Sequence, residues 1–304
     1  MTLRLGSTAA VAAVLVLAIG CGNSAPTPSG ANPSGSSATS PSVFPVIVSQ
    51  ELIPGPNRFV FSFLDAASKP VGAPDRTASI QFTGPGGEAV GPVTGTFIWA
   101  IENVNGVYVT RVDFPVAGRW AATFTTEAPG STKEAIPFSF DVRADASVIE
   151  PGEKAPSVDT PTLADVGGDV SKISTDQSPV KAFYETSVAD ALAAKKPFVL
   201  VFATPKFCQS LTCGPTLEKV KTVAAAHPDV TFINVEPYQL QLVDGQLQPV
   251  LDAQGYLQSV PATTAYGLLT EPFVFLVGSD GVVKASFELV FTPDEISEAL
   301  ATLK

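Results

Sequence analysis

The chain has 304 residues, 29 acidic against 18 basic side chains, a formal net charge of −11, 27 prolines, 24 glycines and three cysteines. No basic cluster of any length occurs, so nucleic acid and anionic lipid are poor partners for its surface. The length allows roughly two domains beyond a leader, and low charged content with many turn-forming residues favours a β-rich portion.

Residues 1–21 begin with Arg4, carry an apolar core from Ala9 to Ile19 that is too short to span a bilayer, and end in Gly20-Cys21. This reads as a secretory signal. The run Leu17-Ala18-Ile19-Gly20-Cys21 resembles a bacterial lipobox. That resemblance implies a diacylated Cys21 as the first mature residue, anchored in the lipid bilayer; an ordinary cleaved signal with a free Cys21 is the alternative. Residues 22–42 are nearly all Ser, Pro, Gly, Ala and Thr. Such a stretch cannot bury a core and is expected to be a disordered tether. No later segment is apolar for long enough to span, so the remainder is expected in the bacterial cell envelope, outside the cytoplasm and held to the outer face of the cytoplasmic membrane.

Residues 43–148 read as strands. Phe59, Phe61 and Phe63 alternate on one face, and short runs follow at 78–82, 96–100, 107–112, 120–124 and 136–142. Asn105-Gly106, Ala117-Gly118 and Pro129-Gly130 supply turn signals between them. Around seven strands in about 100 residues suggest an immunoglobulin-like β-sandwich whose aromatics form the core. Residues 149–179, rich in proline and small polar residues, read as a linker or strap.

From 180 the pattern changes. Ser187 with Asp190 marks a helix start, and the apolar run 197–203 reads as a central strand. Phe207-Cys208-Gln209-Ser210-Leu211-Thr212-Cys213-Gly214-Pro215 follows, then an amphipathic helix over 216–226 and a strand over 230–235. The segment 237–262, Gln-rich with scattered Tyr and Leu, reads either as an insertion over the cysteines or as an irregular helix. A hairpin at 273–287 turns at Asp280-Gly281, and Thr292-Pro293-Asp294-Glu295 opens a last helix with a capping box.

This order, with a cysteine pair after the first central strand, resembles the thioredoxin family over 180–304. The features that carry it are Phe207-Cys208, the Gly214-Pro215 step, and Thr270-Glu271-Pro272-Phe273. The whole chain resembles bacterial thioredoxin-family lipoproteins in which an immunoglobulin-like domain precedes a thioredoxin-like domain with a Cys-x4-Cys-Gly-Pro motif. The resemblance implies two domains, the second with an α/β thioredoxin-like fold; a cis Pro272 facing Cys208 and Cys213; Cys208 as the attacking thiol; and Glu271 beside the pair. It implies no bound cofactor, and protein thiols or disulfides of the envelope as partners. Thioredoxins separate their cysteines by two residues, whereas four intervene here. In a regular helix that spacing would splay the two side chains by about 140°, so a disulfide requires an irregular loop, with Pro215 at the first helical position. The buried acid of the family aligns with Val201, which leaves Glu236 as the candidate substitute.

Three readings of the pair compete: a thiol–disulfide oxidoreductase couple, a permanent structural disulfide within a non-enzymatic surface binding module, and a Sco-like copper site holding Cu(I). Copper chaperones of that kind add a distant histidine, and the single histidine here is His227.

Overall fold

The computed structural model describes residues 40–303, so the signal, Cys21 and most of the tether expected from the sequence lie outside the described residues. Eight strands come first: β1 (Val43–Ile47), β2 (Gly55–Asp65), β3 (Thr77–Thr83), β4 (Ala89–Thr94), β5 (Thr96–Ile101), β6 (Asn105–Phe114), β7 (Gly118–Glu127) and β8 (Glu134–Val142). They make two four-stranded sheets, in the orders β1-β2-β6-β5 and β4-β3-β7-β8. Every pairing in both is antiparallel, giving an immunoglobulin-like sandwich.

The alternation along β2 explains the packing. Phe59, Phe61 and Phe63 are fully buried and meet rings of the opposite sheet, with centroids 5.2 Å apart for Phe59–Phe82 and 5.4 Å for Phe61–Phe124. Aromatic pairs at such spacings prefer edge and tilted contacts to face-to-face stacking. Buried polar atoms in this core are answered. Trp120 Nε1 donates to the Val116 carbonyl at 3.1 Å, and Tyr108 Oη donates to the Ala73 carbonyl at 2.9 Å. Asn105-Gly106 is not the turn its sequence suggests: the turn falls at 102–104, and Gly106 lies within β6. A Cβ there would lie 2.2 Å from an edge carbon of the Phe97 ring, so only glycine fits.

The C-terminal portion is built on a smaller sheet of β9 (Phe198–Phe202), β10 (Thr231–Val235), β13 (Phe273–Val277) and β14 (Val283–Glu288), in the order β10-β9-β13-β14. β10 runs parallel to β9, while β13 is antiparallel to both β9 and β14. The apolar run of β9 is buried on both faces. Val199 and Val201 pack with Leu217, Val220 and Ile296; Phe198, Leu200 and Phe202 pack with Val188, Ala262 and Tyr266.

The α/β thioredoxin-like fold expected for 180–304 is corrected by this structure. The described chain is mostly β, in four small sheets. Its α-helices are α1 (Val188–Ala193), α2 (Cys213–Ala226), α3 (Pro261–Ala265) and α4 (Pro293–Leu300), and only α2 exceeds eight residues. Between β10 and β13, where an α/β layering calls for a helix, the chain forms a separate hairpin of β11 (Leu240–Val243) and β12 (Gln246–Pro249). The physical reason is its turn: Asp244 and Gly245 both adopt positive φ, 51° and 76°, the conformation of a tight hairpin loop. The irregular helix considered for 237–262 is therefore also replaced, by this hairpin and the five residues of α3.

Nor do the two portions stand apart as separate domains. Residues Pro41–Lys304 form one compact unit. Val60, Ala100 and Val107, on the outer face of the first sheet, are buried with Leu289 and Val290. Arg58 on β2 makes two hydrogen bonds to the Glu295 carboxylate on α4, at 2.8 and 3.1 Å. The strap is laid against the C-terminal sheet: Gly152 N–H donates to the Val283 carbonyl and Val283 N–H to the Glu153 carbonyl.

Candidate functional site: a disulfide clasped by a buried glutamate

At the end of β9 the chain leaves the sheet through Ala203 and Thr204, turns outward at Lys206 and Phe207, and returns through the two cysteines into α2. Cys208 and Cys213 form a disulfide with Cα atoms 5.9 Å apart. The loop between them is irregular, and Leu211 sits in the left-handed region at φ 64° with its side chain exposed. This break from helical geometry lets two residues five apart in sequence face one another. Helix α2 begins at Cys213 itself, which moves Pro215 from the expected first helical position to the third. Proline is tolerated there because the first four N–H groups of a helix have no intrahelical acceptor. Gly214 has open space where a Cβ would lie.

The two sulfurs differ in access. Cys208 is half-buried and Cys213 is fully buried. The backbone N–H of Cys213 points at Cys208 Sγ, 3.2 Å away, and Ser210 Oγ lies 3.3 Å from the same sulfur. A sulfur at the start of a fourteen-residue helix, facing a backbone N–H, has its thiolate form favoured by the helix dipole and the hydrogen bond. Lys206 is turned elsewhere. Its ammonium donates to the Leu247 carbonyl at 3.1 Å and lies 5.3 Å from the Phe207 ring centroid.

Glu271 and Pro272 close the other side. The Glu271–Pro272 peptide is cis, and Glu271, only 2% exposed, reaches into the cysteine loop. Its Oε1 accepts the Gln209 N–H at 2.7 Å, its Oε2 accepts the Tyr238 hydroxyl, and its backbone carbonyl accepts Ser210 Oγ at 2.7 Å. One carboxylate oxygen and both sulfurs lie within 4.8 Å of one another. Burial, then the neighbouring Glu271, push the Tyr238 phenol above its ordinary range.

Glu236, at the foot of the loop, is buried rather than facing solvent. Its Oε1 accepts the Thr175 N–H at 2.6 Å, and its other oxygen has no hydrogen-bond partner among the described residues. Burial pushes its pKa up to about 7, against the opposing effect of the Thr204 and Thr175 groups. Thr175 Oγ1 in turn accepts the Lys206 N–H at 3.3 Å, so the strap residue links this acid to the loop that carries Cys208.

The structure thus brings Cys208, Cys213, Glu271 and Pro272 together, with Phe207, Gly214 and Pro215 framing them and Glu236 beneath. His227 caps the far end of α2, on the order of 20 Å along the helix from Cys213. Tyr238, Ser210 and Thr175 join the site as well. Tyr238 follows β10, beyond the whole of α2, and no local spacing ties it to the cysteines. The polar Ser210 between two cysteines was the one visible signal.

No family model and no curated protein matches the chain. Two solved structures give partial likenesses. A DUF4426 family protein from Pseudomonas aeruginosa PAO1 is 13% identical, covering 34% of this chain and 91% of its own, with a TM-score of 0.27. The filamin domain of Lin-41 is 18% identical, covering 33% and 93%, with a TM-score of 0.21.

A cleft of about 910 Å³ opens elsewhere, between the sandwich and the C-terminal sheet, lined among others by Arg58, Arg111, Glu150, Glu288 and Glu295. Neither cysteine lines it.

Proposed function

We propose that this chain is an extracytoplasmic thiol–disulfide exchange protein, tethered to the membrane through an acylated Cys21, with Cys208 as the attacking and Cys213 as the resolving sulfur. The observation that carries this reading is the asymmetry of the pair: an accessible Cys208 that receives a helix N-terminal N–H, joined to a fully buried Cys213. In the reducing direction, the Cys208 thiolate attacks one sulfur of a substrate disulfide. The other substrate sulfur leaves as a thiolate and takes a proton from water. Cys213, as thiolate, then attacks Cys208 and releases the second substrate thiolate, which is protonated in turn. Two electrons pass to the substrate and the Cys208–Cys213 bond remains; run backwards, the same steps oxidise a dithiol.

The test is trapping. Cys213→Ala leaves an intermediate that cannot resolve, so envelope proteins should accumulate in mixed disulfides with Cys208, while Cys208→Ser should trap none. A reduction potential below about −300 mV with no trapped partner would assign the bond a structural role instead. The clasp of Glu271 holds the loop under either reading, so the trapping result decides between them. Anchoring is checked separately: Cys21→Ala should abolish incorporation of labelled fatty acid and release the chain from membranes.

A further inference from the structure

The Glu271 carboxylate is more than a clasp. A carboxylate offers roughly four lone-pair directions, and among the described residues two are used, by Gln209 N–H and Tyr238 Oη. An oxygen of the same group stands within 4.8 Å of both cysteine sulfurs. Two thiolates and one carboxylate, converging from the start of α2 and the turn before β13, form a set of three ligands. We propose that the reduced protein binds one Zn2+-like divalent cation through Cys208 Sγ, Cys213 Sγ and Glu271, and that forming the disulfide expels it.

The ligand chemistry decides the class of ion. Thiolate sulfur suits zinc and cuprous ion alike, whereas a carboxylate oxygen is a harder donor that zinc accepts and cuprous ion does not favour. Three protein ligands would leave a fourth position for water, and Cys208 is the more accessible of the two sulfurs. The surroundings are those of a metal ligand held in place: Gln209 N–H and the Tyr238 hydroxyl fix the carboxylate, as outer partners fix the ligands of known zinc sites. A divalent cation also lowers the cost of gathering three negative groups around a largely buried position.

The redox balance is simple. A dithiol reductant delivers two electrons and two protons to the Cys208–Cys213 bond and leaves as its own disulfide. The two thiols then lose two protons to solvent as the cation binds. Oxidation by a disulfide of any partner reverses the sequence and releases the cation. Only reducibility of the bond is needed, so this proposal stands apart from thiol exchange with protein substrates.

The test uses the full chain, reduced with a dithiol and desalted without oxygen, with peptide mapping to show that Cys208 and Cys213 are both alkylatable. Zn2+ is then titrated against a chromophoric chelator, and Co2+ is added in parallel for its thiolate charge-transfer absorption. One equivalent should bind, both cysteines should become protected from alkylation, and an oxidant should release the ion. Glu271→Gln should weaken Zn2+ by more than about 10-fold, and Tyr238→Phe, which removes only an outer partner, by about 10-fold or more. Two alkylatable thiols with no Zn2+ binding would overturn the site, whatever the trapping experiment gave. Binding that Glu271→Gln leaves unchanged would overturn the three-ligand set, and tight binding of cuprous but not zinc ion would overturn the choice of cation.

Discussion

Glu271 Oε1 accepts the backbone N–H of Gln209 at 2.7 Å, so a residue 62 positions further along the chain holds the loop between the two cysteines. Glu271→Ala should leave that N–H and the Tyr238 hydroxyl without their acceptor, and hydrogen bonds to charged groups contribute about 1.5 to 3 kcal/mol. A fall of about 2 to 3 kcal/mol in unfolding free energy is expected for the oxidised protein by urea denaturation, with Glu271→Gln losing less.

Stability should decrease as pH rises through the acid-to-neutral range. The folded-state pKa values of Glu236 and Glu288 are raised by burial to about 7. The native state therefore binds more protons than the unfolded chain between about 4.5 and 7, and unfolding free energy must decline across that window and level off above it. Each group contributes on the order of 3 kcal/mol, complete below the window. Denaturation curves at pH 5 and pH 8 test this. Glu236→Gln and Glu288→Gln should each flatten the dependence, and a pH-independent unfolding free energy would refute the assignment.

Opening the disulfide without changing residues should cost little. A loop this short yields about 2 kcal/mol in the chain-entropy description, so dithiol should shift the denaturation midpoint modestly and leave the far-ultraviolet spectrum of the folded protein unchanged. A collapse of the fold would mean that the bond organises the core.

Glu295 serves two partners. It closes the capping box of α4, with the Thr292 N–H donating to Oε2 at 2.9 Å, and it receives the Arg58 guanidinium from β2. Burial works against its charge, yet the Arg58 hydrogen bonds and positive charge hold its pKa below the ordinary value. Thr292→Ala should cost about 1 kcal/mol, the usual worth of a cap. Arg58→Ala should cost more, about 3 kcal/mol, because it leaves a largely buried carboxylate unpaired. Chemical denaturation of both variants gives the comparison.

What the sequence disclosed follows physical range. The alternation of Phe59, Phe61 and Phe63 marks a strand because its period is local, and Thr292 and Glu295 mark a helix start for the same reason. β1 and β4 are edge strands that each carry a proline, Pro45 and Pro92, and neither shows the apolar alternation that marks β8 despite its own Pro137. Asp244-Gly245 was a legible hairpin signal that the surrounding glutamines obscured. The expectation of an α/β fold failed in that same segment. At the site, the cysteines and their Gly-Pro step were visible, but Tyr238 and Thr175 reach it through tertiary placement alone. Burial of both faces of β2 likewise depends on Leu289 and Val290, far along the chain.

Helix α2 carries Cys213 at its first residue and Lys219 less than two turns later. The Lys219 ammonium donates to two carbonyls, those of Trp99 at 2.8 Å and Phe291 at 2.9 Å. A helix tied to the sandwich so close to its sulfur is fastened to the backbone of Trp99. The other tryptophan, Trp120, lies sealed among phenylalanines. Trp99 emission is therefore the expected optical readout of any tilt of α2 when the Cys208–Cys213 bond is reduced, with Trp120 as the reference.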